Sequence, residues 1–154
     1  MEEPLYFDDV EIGHHWCSPT RTIQSADLAA FADLTGDDNP LHLDQEFASR
    51  TPFGKPIAHG LLGLSLVAGL GSHSPLMHTA AFVRIVDWRF VKPVYVGDTV
   101  HVETAVLDKR ATGRRRGIIT WKRQLVNQHN DVVQEGTAET LVLQHAAAKR
   151  LLPR

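Results

Sequence analysis

Residues 60–69, Gly-Leu-Leu-Gly-Leu-Ser-Leu-Val-Ala-Gly, carry one hydroxyl and no charge. A helix built from them has too little polar face for a surface position, so the pattern predicts a helix from Gly60 to about Gly69 buried almost all round. Something must surround it, and the second half of the chain supplies the material. Phe82 to Phe90 alternates, with Phe82, Val86, Trp88 and Phe90 expected on one side. Thr99 to Leu107 sets Val100, Val102, Thr104 and Val106 against His101, Glu103 and Ala105, and strands over 118–126 and 132–143 follow. Gly97-Asp98, the region 111–113 and Asn127-Gln-His-Asn130 mark the turns. A further short strand is expected near Trp16 to Ile23. Four or more antiparallel strands and one highly apolar helix imply an α+β chain whose sheet wraps around that helix.

The chain has 154 residues, enough for one core and too few for two, so a single domain over 1–154 is expected, with a tail from about residue 146 that frays. Its 16 Lys+Arg stand against 18 Asp+Glu, so no global field draws nucleic acid or an anionic membrane. A lone cysteine, Cys17, excludes an internal disulfide framework and suits a reducing compartment. Met1-Glu-Glu-Pro opens without a basic region followed by an apolar run, and the apolar stretch 61–70 is far too short to span a bilayer. A soluble cytoplasmic protein is expected.

The chemistry-bearing segment lies in the first half. Ser25 is read as the N-cap of a helix from Ala26 to about Leu34, ended by Gly36, and Asp44 as the opening of a short helix through Ala48. Between them, Asp37-Asp-Asn-Pro-Leu-His42 places a carboxylate and an imidazole five residues apart on a loop stiffened by Pro40. Two such groups held in fixed orientation are what proton transfer near neutral pH requires. The plainer alternative is a helix end with Asp37, Asp38 and His42 solvated on a turn. Asp38 is expected to face solvent.

Several segments together resemble one family. Asp37-Asp-Asn-Pro-Leu-His42 with Phe31, Thr35, Gly36 and Ala48, Thr51-Pro-Phe-Gly-Lys-Pro-Ile-Ala-His-Gly-Leu-Leu62, and Trp88-Arg-Phe-Val-Lys-Pro-Val-Tyr-Val-Gly-Asp-Thr99 stand in the order found in the MaoC-like, or (R)-specific enoyl-CoA hydratase, branch of the hot-dog fold. Tyr6-Phe-Asp-Asp-Val-Glu-Ile-Gly13 is similar to its usual opening. The resemblance implies a hot-dog domain and a hydro-lyase that adds water to a 2-enoyl-CoA thioester, or removes it from an (R)-3-hydroxyacyl-CoA.

By this match Asp37 and His42 are the acid/base pair, Asp37 the principal base and His42 the proton donor, and the Gly60 N–H is the oxyanion donor at the start of the central helix. Asn39 and Ser65 are implied as supporting or substrate-binding residues, although a helical serine often satisfies its hydroxyl on the preceding turn. His59 is read as a structural histidine and left outside the site. A metal site from His42, Asp44, His59 and Asp37 lacks a paired-ligand signature, and the family needs no metal or other cofactor beyond the coenzyme A thioester that is its substrate. Arg84, Lys92, Lys122, Arg123 and the run Arg114–Arg116 are candidate partners for coenzyme A phosphates. The resemblance implies a homodimer or dimer of dimers, and no nucleic-acid or membrane partner. The same chemistry on an acyl-carrier-protein, branched or dicarboxylic thioester, and a non-catalytic acyl-binding subunit, are the alternatives.

Overall fold

The structure is a computed structural model that describes residues 3–148. Expectations for the tail beyond 148 lie outside the described residues. After a 3₁₀ turn at Phe7–Asp9 come two short strands, β1 (His15–Cys17) and β2 (Arg21–Thr22). Three helices follow, α1 (Ser25–Thr35), α2 (Pro40–Leu43) and α3 (Gln45–Ser49), and then the central helix α4 (Gly60–Gly71). Four long strands complete the sheet, β3 (Thr79–Phe90), β4 (Thr99–Ala111), β5 (Arg116–Val126) and β6 (Val132–Leu143), before a short α5 (His145–Ala148). All strand pairs are antiparallel, in the order β1-β4-β5-β6-β3, with β2 also on β4. This is the α+β hot-dog arrangement, a sheet curled around α4. Among the described residues no helix is long and apolar enough to cross a membrane.

The strand alternation builds the core. Val100, Val102 and Val106 of β4, Ile119, Trp121 and Leu125 of β5, and Val133 and Val142 of β6 are almost fully buried. Leu62 and Val67 bring α4 onto the part of this core that also holds Ile23, Leu28 and Val94. Each such side chain contributes about 1.5–3 kcal/mol on leaving water. The opening segment closes the other part, where Phe7 and Val10 meet Val106, Ile119 and Trp121. Gly117 admits the Phe7 ring, which a Cβ at that position would strike.

Four sequence expectations are corrected. Helix α1 begins at Ser25 itself, with Gln24 as the N-cap and its N–H donating to the Asp27 carboxylate at 2.8 Å. The expected loop before His42 is partly helical: Asn39 caps α2, its Oδ1 accepting from the Leu41 N–H at 3.0 Å, and Pro40 takes the first helical position, where its missing N–H costs nothing. Helix α4 is not buried all round, because a single sheet covers one face and leaves Leu61 60% exposed. Nor do Phe82, Val86, Trp88 and Phe90 share one side of β3. Register shifts against β6 at 82/84 and 85/87 break the alternation, so Phe82, Ile85 and Trp88 line one cavity against α4.

Candidate active site

Asp37 sits just past the left-handed Gly36, whose N–H closes α1 on the Ala32 carbonyl at 2.8 Å. Both backbone groups of Asp37 are held. Its N–H donates to Thr35 Oγ1 at 3.3 Å, and its carbonyl accepts from His59 Nε2 at 2.9 Å. The side chain is exposed, as is that of Asp38. His42 rides the single turn of α2, and its Nδ1 lies 2.7 Å from the Ile57 carbonyl. A carbonyl only accepts, so Nδ1 carries a proton and Nε2 is the nitrogen left for chemistry.

His59 is buried, at 2% exposure, immediately before α4. Its ring stacks on His42 with centroids 3.8 Å apart and planes 27° apart, and Phe31 packs against it at 5.0 Å. Asp37, His42 and His59 each offer a ligand-type atom within 4.8 Å of the other two. One nitrogen of each ring is engaged by a carbonyl, which leaves at most one nitrogen per ring for an ion. Asp44 is elsewhere employed, its carboxylate accepting the Phe47 N–H at 2.9 Å to cap α3.

Gly60 is the first residue of α4, so its N–H has no intrahelical acceptor and points out of the positive end of the helix. It shares a cavity of about 320 Å³ with His42, Ile57, Phe90 and Gln134. A Cβ at position 60 would lie 2.9 Å from the Phe90 ring, so glycine keeps this wall open. His42 also borders a second hollow, about 490 Å³, with Ala29, Leu43, Lys55 and Val96.

The fold thus brings Asp37 beside His42, and His42 into the cavity that Gly60 borders. Asn39 serves α2 through its capping bond, and the Ser65 hydroxyl donates to the Leu61 carbonyl of its own helix at 2.7 Å. Of the candidate phosphate partners, Arg84 pairs with Glu139 at 2.9 Å and Lys92 with Asp131 at 2.9 Å. Arg123 is buried under the end of α4, and that burial lowers its guanidinium to about 10.

Sequence reasoning gave no site role to two residues. His59 was set aside although it directly precedes the helix that carries Gly60. Gln134 is 3% exposed, its Nε2 donating to the Gly60 carbonyl at 3.0 Å and its Oε1 accepting from Trp88 Nε1 at 3.1 Å. Trp88 only donates and the carbonyl only accepts, so the amide has one workable orientation. A polar side chain at an inward strand position was the available signal for Gln134.

Residues 10–127 match the family model described as MaoC like domain. A 3-hydroxybutyryl-CoA dehydratase of Methylorubrum extorquens is 39% identical over 112 residues, 72% of this chain and 69% of that protein. An (R)-specific enoyl-CoA hydratase of Rhodospirillum rubrum is 32% identical over 138 residues, 89% of this chain and 91% of that protein. Among solved structures, one described as a monoamine oxidase regulatory protein from Archaeoglobus superposes with a TM-score of 0.85 at 36% identity, covering 92% of this chain and 95% of the other.

Proposed function

The chain belongs to the MaoC-like domain family, and from that premise we propose that it is a hydro-lyase acting between a 2-enoyl-CoA and an (R)-3-hydroxyacyl-CoA. The observation that carries the reading is that His42, with the Asp37 carboxylate within 4.8 Å of one of its ring nitrogens, shares one cavity with Gly60. Water is a poor nucleophile toward the β-carbon, and the enolate formed by its attack must be protonated at the α-carbon. In this proposal the Asp37 carboxylate accepts a proton as the water oxygen bonds to the β-carbon. The Nε2–H of a protonated His42 delivers a proton to the α-carbon, and transfer from Asp37 to Nε2 restores the pair. Meanwhile the Gly60 N–H and the helix dipole hold the charge that collects on the thioester oxygen. Dehydration uses the same groups in reverse.

The geometry bears on the division of labour. With Nδ1 committed to Ile57, His42 donates toward substrate only when Nε2 is also protonated, so the donor is the imidazolium. The neutral ring accepts there instead, which is its task in the dehydration direction.

Loss of the conjugated enoyl-thioester absorbance with crotonyl-CoA tests the reading. Wild type is expected to turn over, and Asp37→Asn and His42→Ala to lose about 10²–10⁴-fold in kcat with folding retained by circular dichroism. Undiminished turnover in both variants would put the chemistry elsewhere. Chiral analysis of the product checks the (R) assignment.

The proposal includes a second copy of the chain. β3 is an edge strand, and Phe82, Val83, Ile85, Val86 and Phe90 along it are 42–55% exposed, with Leu61 of α4 also uncovered. An apolar edge of this length is a template for pairing, and a twofold partner would cover it and the open side of the cavity.

A further inference from the structure

We infer that His59 is a positioning residue that holds the acid/base pair and the oxyanion turn as one unit, an inference that rests on the hydro-lyase reading. Its side chain touches both halves of the pair in different ways. The Nε2–H donates to the backbone carbonyl of Asp37 at 2.9 Å, not to its carboxylate, so it fixes the peptide from which the carboxylate projects and leaves both carboxylate oxygens free. The ring face stacks on His42 at 3.8 Å. His42 is therefore gripped at its edge by Ile57 and on its face by His59, and the direction of Nε2 is set by two contacts. His59 is also the N-cap of α4, and the N–H of Gly60 belongs to the peptide bond between them. One residue thus joins the Asp37 loop, the α2 turn and the start of α4.

The tautomer follows from the partners. The Asp37 carbonyl requires a proton on Nε2, while Nδ1 is buried without a hydrogen-bond partner among the described residues. The Nδ1–H tautomer would lose the carbonyl bond and bury an orphan donor, which is the costlier arrangement.

Two requirements meet at this position, a flat face for His42 and an N–H at the far edge for Asp37. They are separable. His59→Phe keeps the face and loses the donor; His59→Gln keeps a donor at similar reach and loses the face. With crotonyl-CoA, His59→Phe is expected to lower kcat about tenfold to a hundredfold while KM stays within about threefold, because misplacement acts on the chemical step rather than on thioester binding. His59→Gln is expected to recover a substantial part of that loss. In the wild type, long-range ¹H–¹⁵N correlations at neutral pH are expected to show His59 as the Nε2–H tautomer. Wild-type kcat in His59→Phe, a Gln variant no better than Phe, a loss confined to KM, or an Nδ1–H pattern would each overturn the inference. If His59→Phe does not fold, the wild-type spectrum still decides, the Nε2–H tautomer supporting the inference and an Nδ1–H pattern overturning it. A wild-type chain that turns over no 2-enoyl-CoA would remove the hydro-lyase reading instead, and the spectrum would then judge the geometry of His59 by itself.

Discussion

At the scale of single residues, charge is settled locally and away from the site. Glu139 of β6 is reached by Arg84 of the adjacent β3 at 2.9 Å and by Arg110 of β4, beyond β5, at 3.8 Å, so one carboxylate serves cations on both sides of its strand. The Arg84 hydrogen bond is the main cause that holds its acid below the ordinary 4.5. Because the folded-state value is depressed, the stability this group contributes is present above pH 4.5 and is lost as pH falls through the lower folded value. Thermal melts between pH 6 and pH 3 should therefore show a steeper acid decline for wild type than for Glu139→Gln, and parallel declines would remove Glu139 from the account. Asp9, lowered by the Tyr6 N–H and by His145, acts in the same direction at the other end of the chain. Asp37, His42 and His59 depend on neutral contacts instead, a carbonyl for each histidine and a hydroxyl for the Asp37 N–H.

At the scale of elements, the first turn of α4 is the part on which most else depends. Gln134 reaches from β6 to the Gly60 carbonyl, and Gly63 gives it the room, since a Cβ there would overlap the Gln134 amide. Alanine is the better helix former by about 1 kcal/mol. Gly63→Ala should nevertheless destabilise the chain by about 1–3 kcal/mol in urea titrations, through overpacking of an amide held at both ends. Gln134→Ala removes the obstacle, so the double variant should be more stable than the sum of the singles predicts, and strict additivity would mean the two do not meet. The bulges of β3 are the other elemental device. They turn Phe82, Ile85 and Trp88 toward α4 from a strand whose simple alternation pointed elsewhere.

At the scale of the whole molecule, one sheet cannot enclose one helix completely. The uncovered face of α4 and the apolar edge of β3 are consequences of that geometry, and a second copy is the proposed remedy. Val83→Lys with Val86→Lys tests it, because both positions are exposed on β3 and border neither the 320 Å³ cavity nor the one lined by Phe82, Ile85 and Trp88. Light scattering should find wild type as a dimer or larger and the double variant shifted toward monomer with its sheet intact. A wild-type monomer would overturn the proposal.

The amino-acid sequence by itself determined the long strands, the central helix and their order, but not the α2 turn, which it presented as loop. Apolar residues recur every second position in β4 and nearly without interruption in 60–69, and Gly36 and Asp44 end and start helices through bonds confined to a few residues. These are short-range effects, so they are legible in one dimension, as is the Asp37-to-His42 spacing. The tertiary structure alone decided which partners those residues meet. His59 finds the Asp37 carbonyl across 22 residues, and Gln134 finds Gly60 across 74. The bulges that re-aim β3 depend on its register with β6. Contacts of that separation arise from how the sheet closes over α4, and no local pattern encodes them because their physical cause is packing between elements, not the preference of any one.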